Sequence, residues 1–246
     1  GLAPDCAVLV CTVRALKAHS GRYEIRPGKP LDPRLMVEDL DAVRAGLPNL
    51  VKHIENVTAF GVPVVVAVNH FPSDTEAEHE LIRAAAVSAG AGSAVSQTVH
   101  ADGGAGGVAL ADAVAQACAG SSELLYTYED SDPPEVKIEA IARGVYGADG
   151  VEFSKDALRS IARFTEIGYG SLPVCMAKSH LSLSHDPDRK GRPTGWILPV
   201  RDVRLSAGAG FLYALCGDIM TMPGLPSRPA GEQVDIDADG NIVGLF

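Results

Sequence analysis

Two continuous apolar runs lie in the first third of the chain, at residues 6–13 and 63–68. Runs of this length without polar alternation are typical of strands that are buried on both faces of a parallel sheet. A shorter apolar segment at residues 94–99 predicts a third strand. The first half of the chain therefore has the strand pattern of a parallel sheet.

Apolar positions at helical spacing separate these strands, and Pro48 is tolerable among them if a second helix begins there. Ser73 and Glu76 lie three residues apart and predict a capping box at the start of a later helix. A segment rich in Pro and Gly at residues 19–33 predicts a loop. The predicted helices span residues 35–60, 74–89 and 108–119.

The order of strands and helices predicts an α/β fold with parallel strands and right-handed crossovers. Residues 120–133 predict a strand and a loop. After residue 172, Pro and Gly punctuate short apolar segments, which predicts a mixed, strand-rich end with a hairpin turn around Asp239 and Gly240. This second half is predicted to hold helices at 134–146 and 155–167, strands at 174–178, 196–206 and 211–217, and β or irregular structure at 222–229.

Composition narrows the class of protein. With 246 residues, 46% hydrophobic and 21% charged, the chain is globular rather than disordered or fibrous. Five scattered cysteines without a CxxC pair predict a reduced, cytoplasmic protein, and no apolar stretch is long enough to predict a membrane span. The net charge of −10 argues against general nucleic-acid binding. The start, GLAPDC, has no initiator Met and predicts a fragment, a processed product or one half of a split protein.

Candidate binding residues follow the predicted strands, because ligands of open parallel sheets bind outside the carboxyl ends of the strands. Thr12, Arg14 and Lys17 follow the first strand, where the two cations suit a phosphate or a carboxylate. A solvated helix start is the alternative interpretation. Asn69 ends the second strand and is followed by Phe71 and Pro72.

An amide at a strand end can donate to and accept from a purine edge, and Phe71 and Pro72 add flat apolar surfaces for a ring. Asn69 as a turn former and Phe71 as a core residue remain the alternative. His100 emerges after the third strand, ahead of a glycine-rich turn that lets the backbone approach a ligand or merely turn. No G-x-x-x-x-G-K-S/T phosphate loop occurs in the chain, so a nucleotide reaction would need one from a missing segment.

Two further sets of polar residues, the histidines and a group of charged residues, do not predict a functional site. The histidines show no HExxH motif or paired ligand spacing, so no metal site is predicted. Charged residues near the end of the chain favour a structural ion-pair network; they are Lys178, Arg201, Asp202 and Arg204.

Several long motifs, in order along the chain, resemble the formate–tetrahydrofolate ligase family. They are TVRALK, KHIENVTAFGVPVVVAVNHFPSDTEAE, DGGAGG, YGADGV, ARFTEIGYGSLPVCMAKSHLSLSHDP, DVRLSAGAGF and IMTMPGLPSRPA, with a final GLF. The resemblance implies the joining of formate to N10 of tetrahydrofolate, driven by MgATP through formyl phosphate, to give 10-formyltetrahydrofolate. It also implies that this chain is the C-terminal part of a longer protein whose N-terminal part carries the phosphate loop.

By the same resemblance, residues 1–51 complete a nucleotide-binding domain of the P-loop NTPase kind, and residues 52–246 form a C-terminal domain. Arg14 and Lys17 are implied to assist catalysis by position, with the main catalytic residues in the absent segment. The pocket for adenine or pterin is implied to be formed by Asn69, Phe71, Pro72 and His100.

His100 departs from the family, in which a Trp is usual, and imidazole offers a smaller stacking face. The family further implies a homo-oligomer, a monovalent cation as a possible cofactor, and small-molecule substrates rather than nucleic acid or membrane. The competing hypothesis is a non-catalytic subunit, derived from the ligase, that binds nucleotide or folate or acts in assembly. A guanine-specific GTPase is disfavoured because HFPSD lacks the NKxD spacing.

Overall fold

The computed structural model describes residues 3–25, 30–219, 227–240 and 242–244. Within them, three parallel strands form the first sheet in the order β1, β2, β3: β1 (Ala7–Thr12), β2 (Val64–Asn69) and β3 (Ser93–Gln97). The first five residues of β2 are buried, because this strand has a neighbour on each side and helices over it. The parallel α/β arrangement predicted for the first half is therefore confirmed.

Strand β1 differs from its prediction, since it is covered on one face only. Its side chains alternate in exposure, and Val8 and Val10 are 44% and 59% exposed. Among the described residues β1 pairs with β2 alone, so it forms an edge of the sheet. An uninterrupted apolar run fits burial on both faces, but the elements that pack on each face decide it: Leu9 and Cys11 face the core, while Val8 and Val10 lie on the opposite, uncovered face.

Helices α1 (Val13–His19) and α2 (Leu40–Ala59) cover the first sheet, and a short 3-10 helix at Pro33–Met36 lies between them. Pro48 does not start a second helix, because α2 runs through it without a break. Pro48 is exposed, while Val43 and Ile54 on either side of it are fully buried in the same core. Packing of both halves against one core keeps the helix continuous.

The next helices are α3 (Glu76–Ser88), α4 (Val99–Asp102) and α5 (Val108–Cys118), with a 3-10 helix at Gly103–Gly107. The capping box of α3 is formed by Thr75 and Glu78, so the prediction of Ser73 and Glu76 is wrong by two residues. Ser73 precedes the cap because the chain still turns there, with Asp74 accepting a hydrogen bond from the Phe71 backbone.

A second, mixed sheet follows, in the order β4, β6, β7, β5, with the single tryptophan of the chain, Trp196, in its core. β6 and β7 are antiparallel, while β4 and β5 run parallel to their neighbours β6 and β7. Its elements are α6 (Pro134–Gly144), β4 (Gly150–Phe153), α7 (Lys155–Glu166), β5 (Val174–Ala177), β6 (Ile197–Ser206) and β7 (Phe211–Cys216). The predicted mixed, strand-rich end is confirmed.

Residues 120–133 form no strand, which corrects the prediction for that segment. Leu125 donates one backbone hydrogen bond to Phe60, and one such bond does not make a ladder. The predicted hairpin around Asp239 and Gly240 is confirmed by the antiparallel strands β8 (Asp235–Ile236) and β9 (Ile242–Val243). Part of the predicted β or irregular segment at 222–229, namely residues 222–226, lies outside the described residues.

Helix α2 also contacts the second half of the chain. Asn49 donates to the Gly191 carbonyl at 3.0 Å, and Lys52 donates to the Gly144 carbonyl at 2.7 Å. Helix α2 is continuous across residues 51 and 52. The domain boundary predicted there stays a prediction, as does the relation to P-loop NTPases.

All five cysteines are free, and none of the helices in the described ranges combines the length and apolarity of a bilayer span.

Candidate functional site

A row of polar side chains ends the three strands of the first sheet. The parallel register places Thr12 opposite Asn69, and Asn69 opposite Gln97. The Gln97 amide donates to Asn69 Oδ1, and Gln97 Oε1 accepts from the Val99 backbone at 2.8 Å. The side-chain oxygen of Asn69 thus accepts a hydrogen bond from Gln97, which leaves the side-chain NH2 group of Asn69 for a ligand. The sequence analysis missed Gln97, although its place at the end of β3 was a usable signal.

Arg14 and Phe71, predicted from separate turns, lie in contact. The Arg14 guanidinium carbon is 4.2 Å from the centre of the Phe71 ring, a cation–π arrangement. Arg14 Nε is buried and has no hydrogen-bond partner among the described residues. A buried donor without a partner is costly, so this atom marks a place where a further acceptor belongs. Together with Asn69, the pair forms a flat cationic platform at the carboxyl edge of the sheet.

Lys17 is buried rather than open to a ligand. It is 1% exposed, and its Nζ is 2.6 Å from Glu78 Oε1, 2.8 Å from the Val37 carbonyl and 3.3 Å from the Leu35 carbonyl. An ammonium has three N–H donors, and these three oxygens account for all of them. In this arrangement Lys17 links α1 to α3 and has no donor left for a phosphate.

The partner of Lys17 is held as a carboxylate. Burial by itself would raise the pKa of Glu78, but hydrogen bonds from Lys17 and from the backbones of Asp39 and Thr75 outweigh it, and the pKa is lowered. Glu78 therefore serves the capping box of α3, the start of α2 and the ion pair at once. Nothing in its local sequence beyond the cap indicated the other two contacts.

Pro72 and His100 are exposed at the same edge. His100 lies on α4, three residues after the end of β3, and has no ring–ring contact among those of the described residues. The glycine-rich turn after it packs on its own backbone, because a Cβ at Gly106 would lie 2.5 Å from the Thr98 carbonyl carbon. In the described structure this glycine serves a close turn, which is one of the two alternatives left open by the sequence.

A group of possible metal ligands lies beside the platform. His70, Asp74 and His79 each place one donor atom within 4.8 Å of the others. The Asp74 and His79 side chains are 4% and 2% exposed, whereas His70 is exposed. The sequence analysis predicted no metal site, since the spacing of these residues matches no common motif.

The charged set near the end of the chain is only partly an ion-pair network. Arg204 pairs with Asp202 at 3.1 Å, and Arg201 donates to the Ile219 carbonyl. Lys178 is separate: its ammonium donates to backbone carbonyls and lies 4.7 Å from the centre of the Tyr146 ring. Burial lowers the pKa of Lys178 to about 8.

The family model described as formate–tetrahydrofolate ligase matches residues 1–246. The chain belongs to this family. Proteins named formate–tetrahydrofolate ligase from Roseiflexus sp. (strain RS-1), Chloroflexus aggregans and Cutibacterium acnes are 54%, 55% and 52% identical to it. Each match covers 100% of this chain and 43%, 43% and 44% of the relative, respectively.

The chain thus spans less than half the length of these ligases. The resemblance drawn from the motifs is confirmed, because the family match covers the whole sequence. The roles of Arg14, Lys17, Asn69, Phe71, Pro72 and His100 stay predictions.

Proposed function

We propose that the chain is the ring-binding part of a formate–tetrahydrofolate ligase. The reaction joins formate to N10 of tetrahydrofolate with MgATP, through formyl phosphate, and gives 10-formyltetrahydrofolate. The observation that carries this proposal is the Arg14 guanidinium stacked on Phe71 beside Asn69, at the carboxyl edge of a parallel sheet. Ligands of open α/β sheets bind at such an edge.

The platform suits a flat heteroaromatic ring, adenine or pterin. Phe71 offers a stacking surface, Pro72 is exposed beside it in sequence, and the Asn69 NH2 group can donate to a ring nitrogen or carbonyl. His100 follows the neighbouring strand and is free to stack on the same ligand. Binding of this kind orients the folate amine for attack.

The chemistry has two steps. A formate oxygen attacks the γ-phosphorus of ATP and ADP leaves, so negative charge on the phosphoryl oxygens needs cations held in place. The N10 amine then attacks the formyl carbon and phosphate leaves, while the site must exclude water. Arg14, whose Nε lacks a partner among the described residues, is a cation that this chain offers. Lys17 acts as a positioning residue, because its ion pair with Glu78 fixes α1 against α3.

We assign the phosphate loop to the N-terminal part of the same protein, which this chain does not include. A homo-oligomeric assembly and a cytoplasmic location belong to the same proposal. Small molecules, rather than nucleic acid, are the proposed ligands, in keeping with the net charge of −10.

The test uses the protein that contains this chain, assayed for 10-formyltetrahydrofolate formation. Loss of one stacking surface weakens ring binding by about 1–3 kcal/mol, so Phe71→Ala should raise one KM roughly 5- to 150-fold. A higher KM for ATP would identify the bound ring as adenine, and a higher KM for tetrahydrofolate would identify it as pterin. Phe211→Ala in β7, outside the first sheet, is the matched control.

Unchanged KM values in Phe71→Ala would overturn the ring site. Absence of turnover in the unaltered protein, with ring binding retained, would instead favour the non-catalytic subunit. A further arm replaces His100 by Trp, which enlarges the stacking face and should tighten binding of the same ring. No tightening would show that His100 does not face the ligand.

A further inference from the structure

Three side chains around the start of α3 bring a mixed nitrogen and oxygen donor set together. His70 follows β2, Asp74 lies in the turn, and His79 lies on α3. The two imidazole rings meet edge to face, with centres 5.2 Å apart and planes at 66°. One donor atom from each residue lies within 4.8 Å of the other two.

The separation of the two buried donors fits a metal coordination shell. His79 Nε2 and Asp74 Oδ2 are 3.3 Å apart. Tetrahedral zinc, with bonds of about 2.0–2.1 Å, also holds its ligand atoms about 3.3 Å from each other. His70 is exposed, so rotation of its side chain can bring its ring nitrogen from 4.8 Å or less to that distance.

The surrounding hydrogen bonds orient both buried donors. His79 Nδ1 is 2.7 Å from Ser96 Oγ, which also accepts from Arg83 Nη1 at 2.8 Å. A hydroxyl oxygen has two lone pairs, so it can accept from both partners, and it does so when the proton of His79 is on Nδ1. The lone pair of Nε2 then faces Asp74 Oδ2, which accepts from the Phe71 backbone at 3.0 Å.

The contact between His79 Nε2 and Asp74 Oδ2 requires either a hydrogen on Nε2 or a metal ion bound by both atoms. A dication here meets net negative charge, because Asp74, Glu76 and Glu80 carry three negative charges while Arg83 and Arg14 carry two positive charges. Outer partners such as Ser96 are a usual feature of histidine ligands, since they fix the tautomer and the ring orientation.

We propose that His70, Asp74 and His79 bind one divalent transition-metal ion, with zinc as the best fit. Two imidazoles and one carboxylate match the donors that zinc and cobalt prefer, and solvent completes the shell. Magnesium is disfavoured because it prefers oxygen ligands. The ion ties the turn that carries Phe71 to α3. This proposal does not depend on the ligase reaction.

The test titrates the purified protein that contains this chain with CoCl2 and follows the visible d–d absorption, with ZnCl2 as competitor. We expect the d–d absorption to saturate at one equivalent of cobalt, zinc to displace the cobalt, and excess MgCl2 to have no effect. His70→Ala should weaken cobalt binding by at least about tenfold, because even outer-shell changes cost 10- to 100-fold. His180→Ala removes an exposed histidine elsewhere and should change nothing.

The experiment distinguishes cobalt bound at this site from cobalt bound to cysteine thiols, and loss of binding from loss of folding. Cys118 and Cys175 are exposed, and cobalt bound to them shows thiolate charge transfer in the near ultraviolet. Because His70 is exposed, His70→Ala leaves the core intact, and a circular dichroism spectrum checks this. The proposal is overturned if no saturable d–d band forms, if charge transfer accompanies the binding, or if His70→Ala and His180→Ala bind cobalt equally well.

Discussion

Replacing Lys17 by Met removes the cation from an ion pair that is almost fully buried. Lys17 and Glu78 are 1% and 0% exposed, and their charged atoms are 2.6 Å apart. In the variant, Glu78 keeps its hydrogen bonds from the Asp39 and Thr75 backbones but loses its counter-charge. The carbonyls of Leu35 and Val37 also lose their donor. The variant therefore leaves an uncompensated charge in the protein interior.

The expected cost follows from measurements on buried pairs. Removing one partner of such a pair destabilises a protein by about 3–5 kcal/mol. For a chain of this length each kcal/mol lowers Tm by about 2–4 °C, so Lys17→Met should lower Tm by roughly 6–20 °C. The double variant Lys17→Met, Glu78→Gln should recover part of this loss, because a neutral Gln leaves no uncompensated charge, although its single amide oxygen can accept only one of the two backbone hydrogen bonds.

The assay is urea unfolding followed by far-ultraviolet circular dichroism. The control is Arg44→Met, which breaks the exposed pair of Arg44 with Asp41 on α2 and should cost at most about 1 kcal/mol. If Lys17→Met costs no more than Arg44→Met, Lys17 does not stabilise the fold as argued. Unchanged stability with lost turnover in the full ligase would restore Lys17 as a ligand-binding cation.

The same pair predicts a dependence on pH. The folded pKa of Glu78 is lowered from its ordinary value of 4.5, so its contribution is fully present above that value. It is lost as the pH falls through the folded pKa, where the carboxylate takes up a proton. The difference in unfolding free energy between the unaltered protein and Glu78→Gln should therefore shrink below about pH 4.5. A difference that grows on acidification contradicts this assignment.

The first two of three further predictions use the same unfolding assay, and the third adds tryptophan fluorescence. Gly46→Ala should cost about 3 kcal/mol, the upper end of the usual range for overpacking, because its Cβ would lie 1.9 Å from the Leu16 carbonyl oxygen. Gly104→Ala has open space and should be near neutral. Burial lowers the pKa of Lys178 to about 8, so stability should rise with pH from 8 toward its ordinary value of 10.5, and Lys178→Met should abolish the rise. A flat profile in the unaltered protein would contradict this. Trp196, which is 3% exposed, should fluoresce as a buried indole until the second sheet unfolds, and Trp196→Ala should cost about 3–5 kcal/mol. Red-shifted native emission would argue against that packing.

Local pattern was enough for much of the fold. The apolar run of β2, the helix-spaced positions of α3 and α7, and the hairpin around Asp239 and Gly240 each depend on residues close in sequence. Long ordered motifs likewise indicated the ligase family, which the match over residues 1–246 confirmed. Such features could be predicted because backbone periodicity and turn chemistry are local properties of a chain.

What the sequence left open depends on which distant residues meet. Lys17 has the same local pattern whether it faces solvent or Glu78, and only the packing of α1 against α3 buries it. The exposure of Val8 and Val10 follows from packing, because α1 and α2 lie against the face of β1 that carries Leu9 and Cys11. Pro48 lies within one helix because a single core covers both halves of α2.

The candidate sites were decided by tertiary structure in the same way. The sequence by itself determined which turns follow the strands, and so brought Arg14, Asn69 and Phe71 forward as candidates. Only the folded chain stacks Arg14 on Phe71 and brings the donors of His70 and His79 together around Asp74. The physical reason is that contact between side chains depends on strand register and helix packing. These bring together segments that are far apart in sequence, and they leave no periodic signal in the local sequence.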